Sequence, residues 1–259
     1  MRFTLPLALT FLTIIPWPRL GLAAPQDLAR SLVWFPWVGA LLGLIFWGAW
    51  AGLQQILPGA GAAAVFLALT VILTRGLHLD GLADTADGLG GGHTPADRLR
   101  IMKDSQVGAF GVMALVLVLL LKFAFFLGWA GKGPGGVFLL YPLVSRWGLV
   151  LLAYLSPYAR PEGGLGQAMT TCVSFKTLAG ATLSALGLAW LAAGGPGLLI
   201  LVGAGLAVWL ASYYFQKKLG GITGDALGAT NEVLEVLALG GSLLLMPTDA
   251  AIPGLMIFW

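Results

Sequence analysis

Seven long, mostly apolar stretches, at about 33–53, 60–77, 108–129, 137–156, 178–194, 198–215 and 225–246, constrain this chain more than anything else in it. Each is close to the roughly 20 residues a helix needs to cross a hydrocarbon layer about 30 Å thick. With 58% hydrophobic and 10% charged residues, the chain lacks the polar surface of a soluble domain, and no polar stretch is long enough to form one. The 259 residues therefore read as a single all-α integral membrane domain, 1–259, a polytopic transmembrane helical bundle. A shorter apolar run at 3–15, closed by Pro16-Trp17-Pro18-Arg19, falls short of a span and reads as an interfacial or re-entrant helix. Arg2 before it and Ala23-Ala24 after it imitate a cleavable signal peptide, but the prolines, Trp17 and Arg19 interrupt the cleavage region.

Positive charge sets the orientation, because cytoplasmic connections are enriched in Lys and Arg. Eleven of the fourteen basic residues fall in alternate connections. They are Arg2, Arg19 and Arg30; Arg75, Arg98, Arg100 and Lys103; Arg160 and Lys176; Lys217 and Lys218. The opposite connections hold only Lys132, while Lys122 and Arg146 lie within spans. The N-terminus is thus expected inside and the C-terminus, after an odd number of crossings, outside. No basic run interleaved with aromatics suggests a nucleic acid partner. A single cysteine, Cys172, rules out an internal disulfide and a Cys-based zinc cage, and is expected as a small membrane-buried filler.

Against this apolar background the acids are concentrated. Five of eleven lie at Asp80, Asp84, Asp87, Asp97 and Asp104. If the helix entering from 61 continues through 88, Asp80, Asp84 and Asp87 at i, i+4 and i+7 share one face. Like charges so spaced repel, which makes them poor helix stabilisers and good hard-oxygen ligands for Mg²⁺, with a solvated acidic helix end as the plainer alternative. A second cluster, Asp225, Glu232 and Glu235, follows Gly220-Gly-Ile-Thr-Gly, and Asp225 and Glu232 again stand at i and i+7. The expected topology puts both clusters at one membrane face, as a shared cation site requires. Gly81, Gly88, Gly224 and Gly228 would let the two acidic helices approach closely.

Charges within spans are costly and ordinarily face a partner or ligand. Lys122 and Arg146 therefore either line the floor of a cytoplasm-facing cavity, pair with an acid, or snorkel. His78 is a candidate catalytic base or a hydrogen-bonded helix-end residue, and His93 reads as a solvated loop residue in the Gly-rich loop 88–94. Thr94 followed by Pro95 and Asp97 marks the start of a short amphipathic cytoplasmic helix over 95–104, which would carry Arg98, Lys103, Asp104 and Ser105 toward the acidic stripe.

Several motifs carry a family resemblance: His78-Leu-Asp-Gly-Leu-Ala-Asp-Thr-Ala-Asp-Gly, Ile101-Met-Lys-Asp-Ser, Gly108-Ala-Phe-Gly, Tyr158-Ala-Arg-Pro-Glu-Gly-Gly-Leu-Gly and Gly220-Gly-Ile-Thr-Gly-Asp-Ala-Leu-Gly-Ala. Together with the early Phe11-Leu-Thr-Ile-Ile-Pro-Trp-Pro, the chain resembles the cobalamin synthase family, adenosylcobinamide-GDP ribazoletransferases, over nearly its whole length. The resemblance implies a Mg²⁺-dependent enzyme of the bacterial cytoplasmic (inner) membrane, its active site facing the cytoplasm. It would join adenosylcobinamide-GDP to α-ribazole or its 5′-phosphate and release GMP. It also implies that Asp80 matches a position needed for activity, with Asp84, Asp87 and Asp225 as metal or phosphate neighbours. On this reading Lys103, Asp104, Ser105, Lys122, Arg146, Arg160 and Asn231 contact substrate, and Glu232 or His78 orients or deprotonates the ribose hydroxyl. Expected partners are the corrinoid nucleotide, α-ribazole and the lipid bilayer, with no nucleic acid, and a homo-oligomer or other corrinoid-assembly enzymes.

Three alternatives remain open at the level of sequence. CDP-alcohol phosphotransferases use a related Asp-rich helix end, although Asp80-Gly81-Leu82-Ala83-Asp84 lacks their Ala-Arg pair. Prenyltransferases also read diphosphates through Asp-rich helices. A cation transporter would place its acids near the midplane and show an internal repeat, whereas these acids cluster at one face.

Overall fold

The computed structural model describes residues 4–17, 24–132 and 135–246. Arg2, Arg19 and Ala23, on which the N-terminal topology and signal-peptide readings partly lean, lie outside them. In chain order the helices are α1 (Thr4–Leu12), α2 (Pro25–Ser31), a 3-10 turn (Leu32–Trp34), α3 (Phe35–Ile56), α4 (Gly59–Leu73) and α5 (Leu77–Gly91). They continue with α6 (Pro95–Ile101), α7 (Ala109–Gly128), α8 (Val137–Leu155), α9 (Leu165–Thr171), α10 (Phe175–Leu219) and α11 (Gly224–Leu245). The described residues contain no β-strand beyond one isolated bridge, so the protein is an all-α polytopic helical membrane protein. At nine residues, α1 is too short to span and packs on α2 and α3.

Five helical stretches, Pro25–Ile56, Ala109–Gly128, Val137–Leu155, Phe175–Leu219 and Gly224–Leu245, are long and apolar enough to cross a membrane; α4 and α5 pass that test only together. This corrects the expected continuous helix from 61 through 88, because α4 and α5 meet at 88°. The bend is built at Arg75 (φ 55°) and Gly76 (φ 62°), both left-handed. Gly76 adopts that conformation freely, whereas Arg75 does so against the cost of its Cβ. Its guanidinium donates to the Thr10 carbonyl at 2.7 Å, tying the bend to α1.

The 45 residues of α10 would make a straight rod of about 68 Å, twice a membrane's apolar thickness. Instead Gly194 (φ 58°, ψ −138°) breaks the helix, Pro196 follows in the first turn of the second limb, and Gly197 lies against the Ala189 carbonyl and Ala193. The two limbs, 175–193 and 195–219, therefore fold back on each other, matching the two stretches expected at 178–194 and 198–215.

Connections between helices sort into two ends. At one end the Ile14 amide donates to the Leu73 carbonyl at 2.8 Å, Arg98 donates to the Lys218 carbonyl at 2.9 Å, and Tyr158 bridges to Ile222. At the other, Gln54 exchanges hydrogen bonds with Gly131 and Lys132, and Gly136 abuts the Ala192 carbonyl. The first end carries Arg30, Arg75, Arg98, Arg100, Lys103, Arg160, Lys176, Lys217 and Lys218; the second carries Lys132.

Helix α8 is central and mostly buried, whereas α7 is peripheral and mostly exposed. Between them Phe46, Trp50, Phe66, Phe126, Phe138 and Tyr141 form one aromatic cluster that joins α3, α4, α7 and α8.

Candidate active site

Helix α5 crosses the N-terminal turns of α11, and glycine makes the crossing close. A Cβ at Gly81 would stand 2.8 Å from the Asp225 carbonyl, and one at Gly228 would stand 3.1 Å from that of His78. This brings Asp80 and Asp225, 145 positions apart in sequence, to the wall of one cavity of about 280 Å³. Asp84, half-buried on the same helix, is within electrostatic reach of both and of Arg160.

The connection after α8 completes the polar wall. Backbone bonds from Ala159 to Ile222 and from Ile222 to Pro157, both 2.9 Å, hold it against the start of α11. Arg160 then donates to Asp225 Oδ2 at 2.7 Å. Thr223 caps α11 by accepting from Ala226 at 3.1 Å and also donates to Asp225 at 3.3 Å. Tyr158 lines the same cavity; burial pushes its phenol above the ordinary range, so it remains a hydrogen-bond donor at neutral pH. His78 is also in the wall, is 4% exposed, and its Nδ1 has no hydrogen-bond partner.

Other expected site residues are committed elsewhere. Both Asp87 oxygens accept backbone bonds at the start of α7, from Gly108 at 2.7 Å and Gly111 at 2.8 Å. Asp87 is thus a buried anchor for that helix end, where a negative charge is favourable, and it does not line the cavity that holds Asp80 and Asp225. Among the described residues, no three His, Cys, Asp or Glu side chains converge to cage an ion by themselves. Of the four carboxylates expected as metal ligands, Asp80 and Asp225 share the cavity wall, Asp84 lies beside them and Asp87 faces the start of α7.

Lys122 does not line the cavity floor. It donates to Glu232 at 2.5 Å and Glu235 at 2.6 Å, while Arg146 pairs with Glu235; all four side chains are buried. Asn231 donates to Glu235 at 3.1 Å. Lys122, Arg146 and Asn231, expected to contact substrate, and Glu232, expected as a base, are thus joined in one buried network outside the cavity wall. Charge balance explains the outcome: two cations and two carboxylates in an apolar interior are each costly alone.

At the rim, Thr94 caps α6 in a capping box with Asp97, as the sequence indicates, and the helix ends at Ile101 instead of 104. Lys103 pairs with Glu162 across two connections, Asp104 accepts from the Gln106 amide at 3.0 Å, and Ser105 is exposed; none of the three lines the cavity. His93 is exposed, but α5 runs on to Gly91 through most of the expected loop, because Gly88 and Gly92 admit Arg98 and Met102 of the α6 segment at contact distance. Cys172 is exposed just after α9, which corrects its expected burial.

An apolar helical bundle that gathers carboxylates and a guanidinium around a cavity at its basic end has the build of a polytopic membrane enzyme. A family model described as Cobalamin-5-phosphate synthase matches residues 4–243, and the chain belongs to that family. Among curated relatives, an adenosylcobinamide-GDP ribazoletransferase of Syntrophobacter fumaroxidans is 44% identical over 241 residues, 91% of this chain and 96% of its own. Proteins of the same name from Ectopseudomonas mendocina (44% over 240 residues, 90% and 95%) and Desulforamulus reducens (40% over 235 residues, 91% and 94%) are similarly close. No solved structure matches the chain.

Proposed function

We propose that this protein is an adenosylcobinamide-GDP ribazoletransferase that works at the cytoplasmic face of the bacterial inner membrane. It joins adenosylcobinamide-GDP to α-ribazole or its 5′-phosphate, releases GMP, and completes cobalamin assembly. The observation that carries this reading is the shared cavity of Asp80, Asp225 and Arg160 at the basic end of the bundle. The one-sided distribution of Lys and Arg supports a cytoplasmic orientation of that end.

Mg²⁺ fits this donor set. The ion favours one or two carboxylates completed by water and substrate phosphate over an all-protein cage, and two carboxylates share the wall. Asp80 and Asp225 would hold it, with Asp84 beside them. Bound there, Mg²⁺ supplies charge neutralisation on the diphosphate oxygens.

The reaction forms a bond from a ribose hydroxyl oxygen to the phosphorus attached to cobinamide and breaks that phosphorus's bond to the oxygen that leaves with GMP. Arg160, already paired with Asp225, is placed to share its guanidinium with a phosphate oxygen, the type of contact in which its planar fork is strongest. Tyr158 offers a phenolic donor in the same wall. His78, in the wall and without a partner at Nδ1, is placed to take or orient the hydroxyl proton, while Glu232 is paired with Lys122 outside the wall. Catalysis of this kind is mostly positioning and electrostatics, which a rigid α5–α11 crossing supplies.

The reading is tested by incubating purified protein with adenosylcobinamide-GDP. GMP release that requires both α-ribazole and Mg²⁺ is expected; release without α-ribazole, or none under any condition, contradicts it.

A further inference from the structure

The cavity has two unlike sides. Its polar groups come from α5, α11 and the connection after α8, whereas the side built by the N-terminal elements is apolar: Phe11 of α1, Leu32 of the 3-10 turn and Phe35 of α3. Phe11 and Phe35 lie with rings nearly parallel, 19° between planes and 6.1 Å between centroids. Met169 of α9, 3% exposed, adds a polarisable thioether to the wall. The transfer chemistry requires only the polar side.

We infer that this apolar side is the subsite for the bicyclic aromatic base of the acceptor nucleoside, so that α-ribazole, not the corrinoid, fills the cavity. The inference rests on the transferase reading above and adds which substrate enters and which residues select it. Volume carries the choice. About 280 Å³ is just below the usual range of small-molecule sites, a scale that suits a flat two-ring base and is small for a corrin macrocycle with its amide arms. Wall chemistry agrees, since aromatic rings and a thioether are favourable partners for a flat π-system. Orientation follows, because a base against Phe11, Phe35 and Met169 leaves its ribose toward Asp80, Asp225 and His78. The corrinoid's diphosphate would then enter from the rim while its ring stays outside the cavity.

The test uses the full chain in detergent and measures KM for both substrates. Met169→Trp, which fills the base subsite, is expected to raise KM for α-ribazole about tenfold or more, the scale of excess volume in an apolar pocket, and to leave KM for adenosylcobinamide-GDP unchanged. Phe35→Ala is expected to let a riboside with a larger tricyclic base react where the unaltered enzyme rejects it. A binding readout guards against misfolded variants: in Cys172→Ser/Phe11→Cys protein, α-ribazole alone should slow alkylation of the new thiol, and GMP alone should not. The inference is overturned if KM for adenosylcobinamide-GDP rises as much as that for α-ribazole, if neither changes because a lipid chain fills the space, or if α-ribazole gives no protection. Each of these leaves GMP release by the unaltered enzyme intact, whereas failure of the transferase reading abolishes that release itself.

Discussion

Gly81 rests directly on the backbone of Asp225: a β-carbon at 81 would stand 2.8 Å from the Asp225 carbonyl oxygen and 2.9 Å from its Cα. Backbone cannot yield as a flexible side chain can, so the absence of a side chain at 81 sets the separation of the two acid-bearing helices. Gly81→Ala is therefore expected to keep the bundle folded while pushing α5 from α11. A displacement near 1 Å at reacting groups costs on the order of 10²-fold in rate, and kcat for GMP release should fall on that scale with little change in thermal unfolding. Unchanged kcat would mean that the crossing distance does not matter to catalysis.

Asp87 and Asp80 lie on one helix but are expected to respond differently to loss of charge. Asp87→Asn replaces one of two acceptors facing the Gly108 and Gly111 amides by a donor. Losing a charge-assisted hydrogen bond costs about 1.5–3 kcal/mol, so thermal stability in detergent should drop while the Mg²⁺ concentration for half-maximal turnover stays put. A raised Mg²⁺ requirement with unchanged stability would return Asp87 to the metal site.

Lys122 holds two carboxylates at once. Lys122→Met leaves Glu232 and Glu235 with only Arg146 between them, and breaking a buried pair this way costs about 3–5 kcal/mol. Adding Glu232→Gln removes the surplus charge and should recover part of the lost unfolding temperature. If the single variant is as stable as the parent, the buried quartet does not hold α7 to α11.

Rim contacts carry a pH signature. Hydrogen bonds from Thr94 hold the Asp97 carboxyl below the usual carboxylate range, and Lys103 does the same for Glu162. Both shifts are downward in the folded state. Their stabilising effect is accordingly present above the ordinary carboxylate pKa and is lost as pH falls through the lowered folded values. Limited proteolysis near 95–105 should stay slow at neutral pH and accelerate only on strong acidification. Acceleration already between pH 7 and 6 would contradict this.

Legibility from sequence followed the physics of each element. Apolar runs marked the helices of spanning length, and the runs at 178–194 and 198–215 correspond to the limbs of α10 on either side of Gly194, because burial of a whole run is a one-dimensional signal. Thr94-Pro95-Ala96-Asp97 announced its own capping box, since the partners are three residues apart. The break before α5 was not legible: Arg75 is a residue that rarely takes positive φ, and its stabilising contact is the Thr10 carbonyl, remote in sequence. The presence of Gly76 beside it was the only local signal. In the site, periodicity correctly put Asp80, Asp84 and Asp87 on one helix, but their separate environments depend on what packs against each turn. The same holds for Lys122 and Arg146, whose sequence reading allowed ligand or ion pair, and whose pairing required the relative depth of α7, α8 and α11.

The central claim is that Asp80 and Asp225 act on the same diphosphate. A double-mutant cycle in GMP release tests it most directly, with Asp80→Asn, Asp225→Asn and the double variant compared at saturating Mg²⁺. Residues acting as one unit are non-additive, so each single change should cost most of the activity and the double should be little worse than either. Near-normal turnover in Asp225→Asn, or losses that simply multiply, would contradict a shared site.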